Sequence, residues 1–449
     1  WSANTLKLNA QKDIVINQAM NASGTAQLAL QYGQGSTNGV IGGVTSDYYV
    51  NAPVNLPAGP NFSTRLGSSG STVNWTVITS LGSAGDASTA PSVMTLQGMD
   101  ASSSLTGNYV LGANIDASAT ATWNPDGFGG YYGFTPIGDG GGTNNATFTG
   151  RFDGLGHTVS NLTTIAHLAF AAGLFGYTSN STIRDIGMVG GSVTGVRYAG
   201  GLVGYAFSGT IDNAYATSSV QTRSTNDMVG GLVGGNGGTI NNAYATGSVN
   251  GSTNVGGLVG QNSGTGTINN AYATGSVTGS YRAGGLVGLN LGGTITNAYA
   301  TGNVSGTTYV GGLIGSNSNF GTVTSVYATG HVSGNSDVGG LVGLNSNSTV
   351  TNGYWDITTT GKGTNAGYGF LDRTMTGGGG LTTAQLAAAL PSGFSSSVWG
   401  NAGNQTTPYL LANTSFDAYS GSVLLGTDTS GAQYKVITSL TQLQNINST

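Results

Sequence analysis

Apolar residues along this chain come in short clusters closed by Gly, Asn or Ser-Gly, and the clusters repeat. The pentapeptide Gly-Gly-Leu-Val-Gly starts at Gly200, Gly230, Gly256, Gly284 and Gly339. It returns as Gly-Gly-Leu-Ile-Gly at Gly311 and, more weakly, as Ala172-Gly173-Leu174-Phe175-Gly176. Its central Leu falls at 174, 202, 232, 258, 286, 313 and 341, with spacings of 28, 30, 26, 28, 27 and 28. Each unit continues as Gly-Thr-Ile-x-Asn-Ala-Tyr-Ala-Thr-Gly-x-Val, cleanest at Gly238 to Val249 and Gly293 to Val304. A period of this length is too short for a propeller blade and lacks the Leu-rich helical half of a leucine-rich repeat. One unit supplies about three strands of four or five residues and cannot bury its own apolar face. Stacking the units at ~4.8 Å pairs each strand with its counterparts above and below and closes a continuous core. The expected fold is all-β: a right-handed parallel β-helix (β-solenoid) with loop insertions and one short outer helix.

The repeats align with one another and so indicate which way residues face. The two Ala of Ala-Tyr-Ala (Ala214 and Ala216, for example) become Ile186 and Met188 in the weak first unit, and later Val326 and Trp355. Apolar enlargement marks both positions as inward, so strand alternation turns the Tyr between them outward. Tyr215, Tyr244, Tyr272, Tyr299 and Tyr327, continued by Tyr354, thus form a candidate ligand-stacking column for sugars or a protein. Stacked Tyr that only shield the sheet are the plainer reading. Two Asn columns run alongside: Asn213, Asn242, Asn270, Asn297 and Asn352, and Asn236, Asn262, Asn290, Asn317 and Asn345. Asn tolerates left-handed backbone and its amides can bond along a stack, so both columns read as structural.

The chain divides accordingly. Residues 1–45 read as simple coils, 46–74 as a loop-rich insertion, 75–165 as lead-in coils and 166–356 as the repeat array. Residues 357–410 read as an insertion holding a helix at 382–390, where Thr382 and Gln385 have capping-box spacing. Residues 411–449 read as the start of a further module, because Val77-Ile78-Thr79-Ser80-Leu81 returns as Val436-Ile437-Thr438-Ser439-Leu440, an offset of 359. The chain opens at Trp1 without an initiator Met or signal peptide, so both ends read as cut from something longer.

Composition narrows the class. Only 6% of the 449 residues are charged, and none is Glu. Glu and Lys furnish the solvated faces of helices, so the chain cannot be mainly amphipathic helix. A hydrophobic share of 38% with net charge −5 argues against disorder. Cys is absent, which excludes disulfides and thiolate metal sites. No apolar run reaches the ~18 residues of a membrane span. A mildly acidic chain with dispersed basic residues argues against a nucleic-acid partner.

The Gly-Gly-Leu-Val-Gly units resemble the GLUG repeat. The Phe152-Asp153-Gly154-Leu155-Gly156-His157-Thr158 lead-in is similar to what precedes such repeats in filamentous-haemagglutinin-like exoproteins of two-partner secretion, and Leu6 to Ile16 resembles their simple coils. The resemblance implies a secreted or cell-surface bacterial adhesin, exported in its parent protein through an outer-membrane pore and acting in adhesion, aggregation or biofilm. Its partners would be a host or neighbouring-cell surface, or extracellular polysaccharide.

Other chemistries find thin support. A polysaccharide-degrading β-helix enzyme needs paired carboxylates, or a base beside a metal-binding acidic cluster. Between Gly200 and Gly343 the only Asp are Asp212, Asp227 and Asp337, at non-equivalent repeat positions. Asp153 and His157 lie four apart, which fits an Asp-Gly turn with a hydrogen-bonded His better than acid–base work. Asp139-Gly140-Gly141-Gly142 lacks the repeated calcium-loop pattern. Thr239, Thr267, Thr294 and Thr322 raise an ice-binding solenoid, but each borders a Gly corner. Sequons at Asn74, Asn145, Asn161, Asn180 and Asn303 carry little weight in a chain so rich in Asn, Ser and Thr. No catalytic residue, cofactor or metal ligand is expected.

Overall fold

The computed structural model describes residues 1–86, 95–101, 103–139, 146–166, 170–371, 375–413, 425–427 and 433–435. Among them, β-strands build a solenoid of parallel coils, as the repeat predicts. Each array coil contributes to three sheets of 16, 12 and 8 strands. The longest sheet carries Thr239–Ala245, Thr267–Ala273, Thr294–Ala300, Thr322–Ala328 and Thr349–Asp356 in succession. Their register is strict: Ile240 lies beside Ile268, Ile295, Val323 and Val350, one per coil. Insertions in the corners absorb the uneven spacing.

Two backbone devices shape the coil. The first is a left-handed residue within the long strand. Asn213, Asn242, Asn270, Asn297 and Asn352 have φ of 51–53°, as do Asp185 at 53° and Ser325 at 55°. Ile240 and Ala243, three apart, therefore both point inward, and the chain bends between them. Alternation resumes after the bend, which leaves Tyr244 on the outer side. Asn fits because its short amide stabilises the left-handed region locally.

The second device is the glycine motif. A Cβ on Gly257 would lie 2.1 Å from the Gly285 carbonyl oxygen, and one on Gly260 would lie 2.4 Å from the Val229 nitrogen. At Gly257 the equivalent residue of the next coil closes in, and at Gly260 a strand of another sheet does, so only Gly fits along this seam. The seam divides the interior into two columns. One holds the Leu and Ile of the motifs with the inward Ala positions. The other is a Val-rich file of Val220, Val249, Val277 and Val304.

Inside the larger column runs an asparagine ladder. Asn236, Asn262, Asn290, Asn317 and Asn345 are buried, and each Nδ2 donates to the next Oδ1 at 2.8–2.9 Å. A second bond goes to a corner carbonyl, such as Gly293 from Asn290 at 2.9 Å. Buried amides are tolerated because their donors and acceptors are paired coil by coil.

The N-terminal residues differ from the sequence-based picture. Residues 46–74, expected to be loop-rich, hold Tyr48–Val50, Val54–Asn55 and Gly59–Leu66. The first two pair in parallel with Ile14–Ile16 and Met20–Asn21. Gly59–Leu66 then runs antiparallel to Val73–Ile78, and at this junction the buried side of the sheet changes. Val77 and Val110 join an N-terminal core, whereas their neighbours Ile78 and Leu111 join the array core. The N-terminal unit thus sits against the outward side of the lead-in strands.

Beyond the array, residues 357–410 are also more ordered into strands than expected. Tyr368–Leu371 and Thr376–Leu381 extend two of the sheets by one more strand each. The expected helix forms as α1 (Thr383–Ala388), with both capping-box bonds between Thr382 and Gln385. No described helix is long and apolar enough to cross a membrane. The Val436–Leu440 repeat of the 77–81 segment lies outside the described residues.

Candidate functional site on the outward face of the long sheet

Chemistry-bearing side chains gather on the outer face of the longest sheet. The Tyr column is there, in register and turned away from the coil interior. Successive ring centroids from Tyr215 to Tyr327 lie 4.8–5.0 Å apart, with planes within 2–8° of parallel. This geometry corrects the expectation of a row of open aromatic faces. Flat rings repeated at the coil spacing must stack on one another, so their faces are used within the column.

The chain's own C-terminal segment covers much of the column as well. Trp399 lies 6.0 Å from both Tyr299 and Tyr327, and Phe394 lies 5.7 Å from Tyr354. The Tyr327 hydroxyl donates to the Pro408 carbonyl at 2.5 Å, and the Tyr354 hydroxyl to that of Ser392 at 2.9 Å. Leu386 of α1 and Leu410 complete this apolar cluster. Tyr327 is fully buried at 0%, and Tyr244 and Tyr272 are 5% exposed. Ser325, which breaks the Asn column, donates its hydroxyl to Gly393 of this strap at 3.0 Å.

The other half of the face is held by charge. Arg184 donates to Asp185 at 2.8 Å, to Asp47 at 2.9 Å and to the Tyr48 carbonyl at 2.8 Å. Its guanidinium also lies 4.7 Å from the centre of the Tyr48 ring. The Tyr48 hydroxyl donates to Asp153 at 2.6 Å. Burial raises Asp153 and Asp185 above the ordinary carboxylate range, although Arg184 stands between them and opposes the shift. Burial alone would lower the Arg184 pKa, but Asp185 and Asp153 outweigh it and hold the guanidinium charged. The cluster ties the N-terminal unit to the array across 137 residues of sequence. No spacing in the sequence pointed to it.

Asp153 and His157 do not act on each other. Asp153 accepts from the Leu155 amide at 2.7 Å, while the His157 ring meets Asn114 at 3.1 Å and the Val54 carbonyl at 3.0 Å. Burial lowers the His157 pKa. Both side chains serve the turn and the contact with the N-terminal unit. The Thr column forms single-file hydroxyl bonds, Thr267 to Thr239 and Thr322 to Thr294, each at 3.1 Å. Asn74, Asn161, Asn180 and Asn303 are exposed; Asn145 and Gly140–Gly142 lie outside the described residues. Among the described residues no group of three or more His, Cys, Asp or Glu could hold a metal ion.

The described coils form a β-solenoid, and part of its repeat array matches the GLUG motif. The model of the GLUG motif matches residues 195–221, 225–250, 251–278, 279–305 and 306–333. Halomucin of Haloquadratum walsbyi is 41% identical over 147 residues, which is 32% of this chain and 2% of that protein. The chain therefore spans a very small part of that relative's length. A solved structure from Bacteroides ovatus, named as a candidate immunoglobulin A1 protease, aligns with 68% of this chain and 86% of that one. Identity there is 20% and the TM-score 0.42, too distant a likeness to bear on activity.

Proposed function

We propose that this chain is a stiff segment of a secreted bacterial surface protein, serving adhesion or aggregation as a stalk or contact surface and not as an enzyme. One observation carries the reading: GLUG units stack in strict register around a core whose buried amides are paired from coil to coil. Such a column resists bending and unravelling, because bending it would break ladder bonds on one side. The charged residues that do cluster, around Arg184, are engaged in joining the N-terminal unit to the array. The GLUG match and the long relative favour a repeat-built extracellular protein. Export through an outer-membrane pore by two-partner secretion, and a role in biofilm, belong to the same proposal.

The test is aggregation and attachment of cells carrying the parent protein. Deleting this segment, and separately replacing it with an unrelated solenoid of equal length, distinguishes the two roles. Rescue by the replacement identifies a spacer, and failure of rescue a contact surface. Unchanged attachment in the deletion strain overturns the proposal.

A further inference from the structure

Between the N-terminal unit and the first coils lies an open groove of about 360 Å³. Tyr48 and Trp75, both buried, lie at its base. Half-buried Tyr32 flanks it, with its ring edge-on to Tyr48 at 5.4 Å. Burial pushes the Tyr32 hydroxyl up to about 12, so it stays a neutral donor at physiological pH.

Two guanidinium groups line the groove, and no carboxylate does. Arg184 is committed to Asp185, Asp47 and Tyr48. Arg151 is different. It is exposed at the groove, and among the described residues no hydrogen bond or ion pair engages its side chain. The groove thus combines an aromatic flank, one disengaged guanidinium and nearby hydroxyls from Ser71 and Thr182. Its volume is within the usual range for small-ligand sites.

We propose that this groove takes an acidic sugar unit of a polysaccharide, with the pyranose ring against Tyr32 and its carboxylate on Arg151. A tyrosine ring offers an apolar face to the C–H face of a sugar. The planar guanidinium fork matches a carboxylate through two parallel bonds. A single disengaged cation suits a singly charged sugar acid better than a phosphate, which usually draws several donors. The proposal deepens the adhesive reading above and rests on it for the source of the ligand.

Calorimetric titration of the folded chain with trigalacturonate, and with maltotriose as the neutral comparison, tests it. Trigalacturonate should bind, maltotriose should bind more weakly, and Arg151→Gln should weaken trigalacturonate roughly tenfold without altering thermal unfolding. Tyr32→Phe should retain most of the affinity, and Tyr32→Ala should lose it. Absence of trigalacturonate binding, equal binding of maltotriose, or an unaltered affinity in Arg151→Gln would each overturn the proposal. Attachment that needs the segment while trigalacturonate fails to bind removes this site and leaves the adhesive role. Trigalacturonate binding with attachment independent of the segment does the reverse.

Discussion

The side-chain amide of Asn262 donates to Oδ1 of Asn290 at 2.9 Å in a coil interior where both residues are fully buried. Asn290 passes the pattern on to Asn317 at 2.8 Å, so each residue of the ladder satisfies the one before it. Asn290→Ala would leave a buried donor on Asn262 and a buried acceptor on Asn317 without those partners. Such groups cost about 1–3 kcal/mol each. Denaturant unfolding should show a loss of about 2–5 kcal/mol, larger than for Asn241→Ala on the outer side of Thr239–Ala245 in the long sheet.

Gly257 tests the seam. The Gly257→Ala variant would place a methyl 2.1 Å from the Gly285 carbonyl oxygen, which is backbone and cannot rotate away. Overpacking of this kind costs about 1–3 kcal/mol or more. Thermal unfolding should begin well below that of the parent. Gly264→Ala is no neutral control, because Gly264 has φ of 59°. Gly363→Ala serves better, since nothing lies within 4 Å of a Cβ there.

Trp399 tests the strap. Its contacts with Tyr299 and Tyr327 hold the C-terminal segment on the Tyr column. In Trp399→Ala, amide exchange should speed up across 383–413 while the array amides stay protected. Uniform exchange across both would mean that the strap is part of one cooperative unit.

Asp100 gives a pH signature. Burial raises its pKa from the ordinary 3.8 to about 8, against the opposing bond from the Gly138 amide. The folded chain therefore holds a proton that the unfolded chain releases. The associated stability is present below pH 3.8 and is lost as pH rises towards about 8. Asp100→Asn keeps an oxygen acceptor for Gly138 and has no proton to lose. Its unfolding midpoint should vary less over that window, and it should be the more stable protein at the upper end.

Much of this architecture was legible in the sequence because the repeat is its own alignment. The inward Ala214 and Ala216, the outward Tyr215, the Asn columns and the capping box at Thr382 all followed from spacing and alternation. The strap was not legible. Phe394 and Trp399 occur once, outside the repeat, and nothing in their spacing assigns them to the Tyr column. The change of core between Val77 and Ile78 was hidden for another reason: two adjacent apolar residues read the same whether they serve one core or two. The link from Arg184 to Asp47 depends on how the N-terminal unit folds back, which no local pattern encodes. The stacking of the Tyr faces could have been inferred, because flat rings at ~4.8 Å spacing have little choice but to stack.

The central claim is that units one repeat apart are strand neighbours, and the absence of Cys makes this directly measurable. Thr267 and Thr294 are paired in register in adjacent coils, whereas Thr239 and Thr294 are two coils apart. Adjacent coils place Cα atoms at about 4.8 Å, within disulfide reach, and two coils place them near 10 Å, beyond it. Under mild oxidation, Thr267→Cys with Thr294→Cys should close an intramolecular disulfide, while Thr239→Cys with Thr294→Cys should remain reduced. Equal cross-linking of both pairs, or closure of the distant pair alone, would contradict the stacked column.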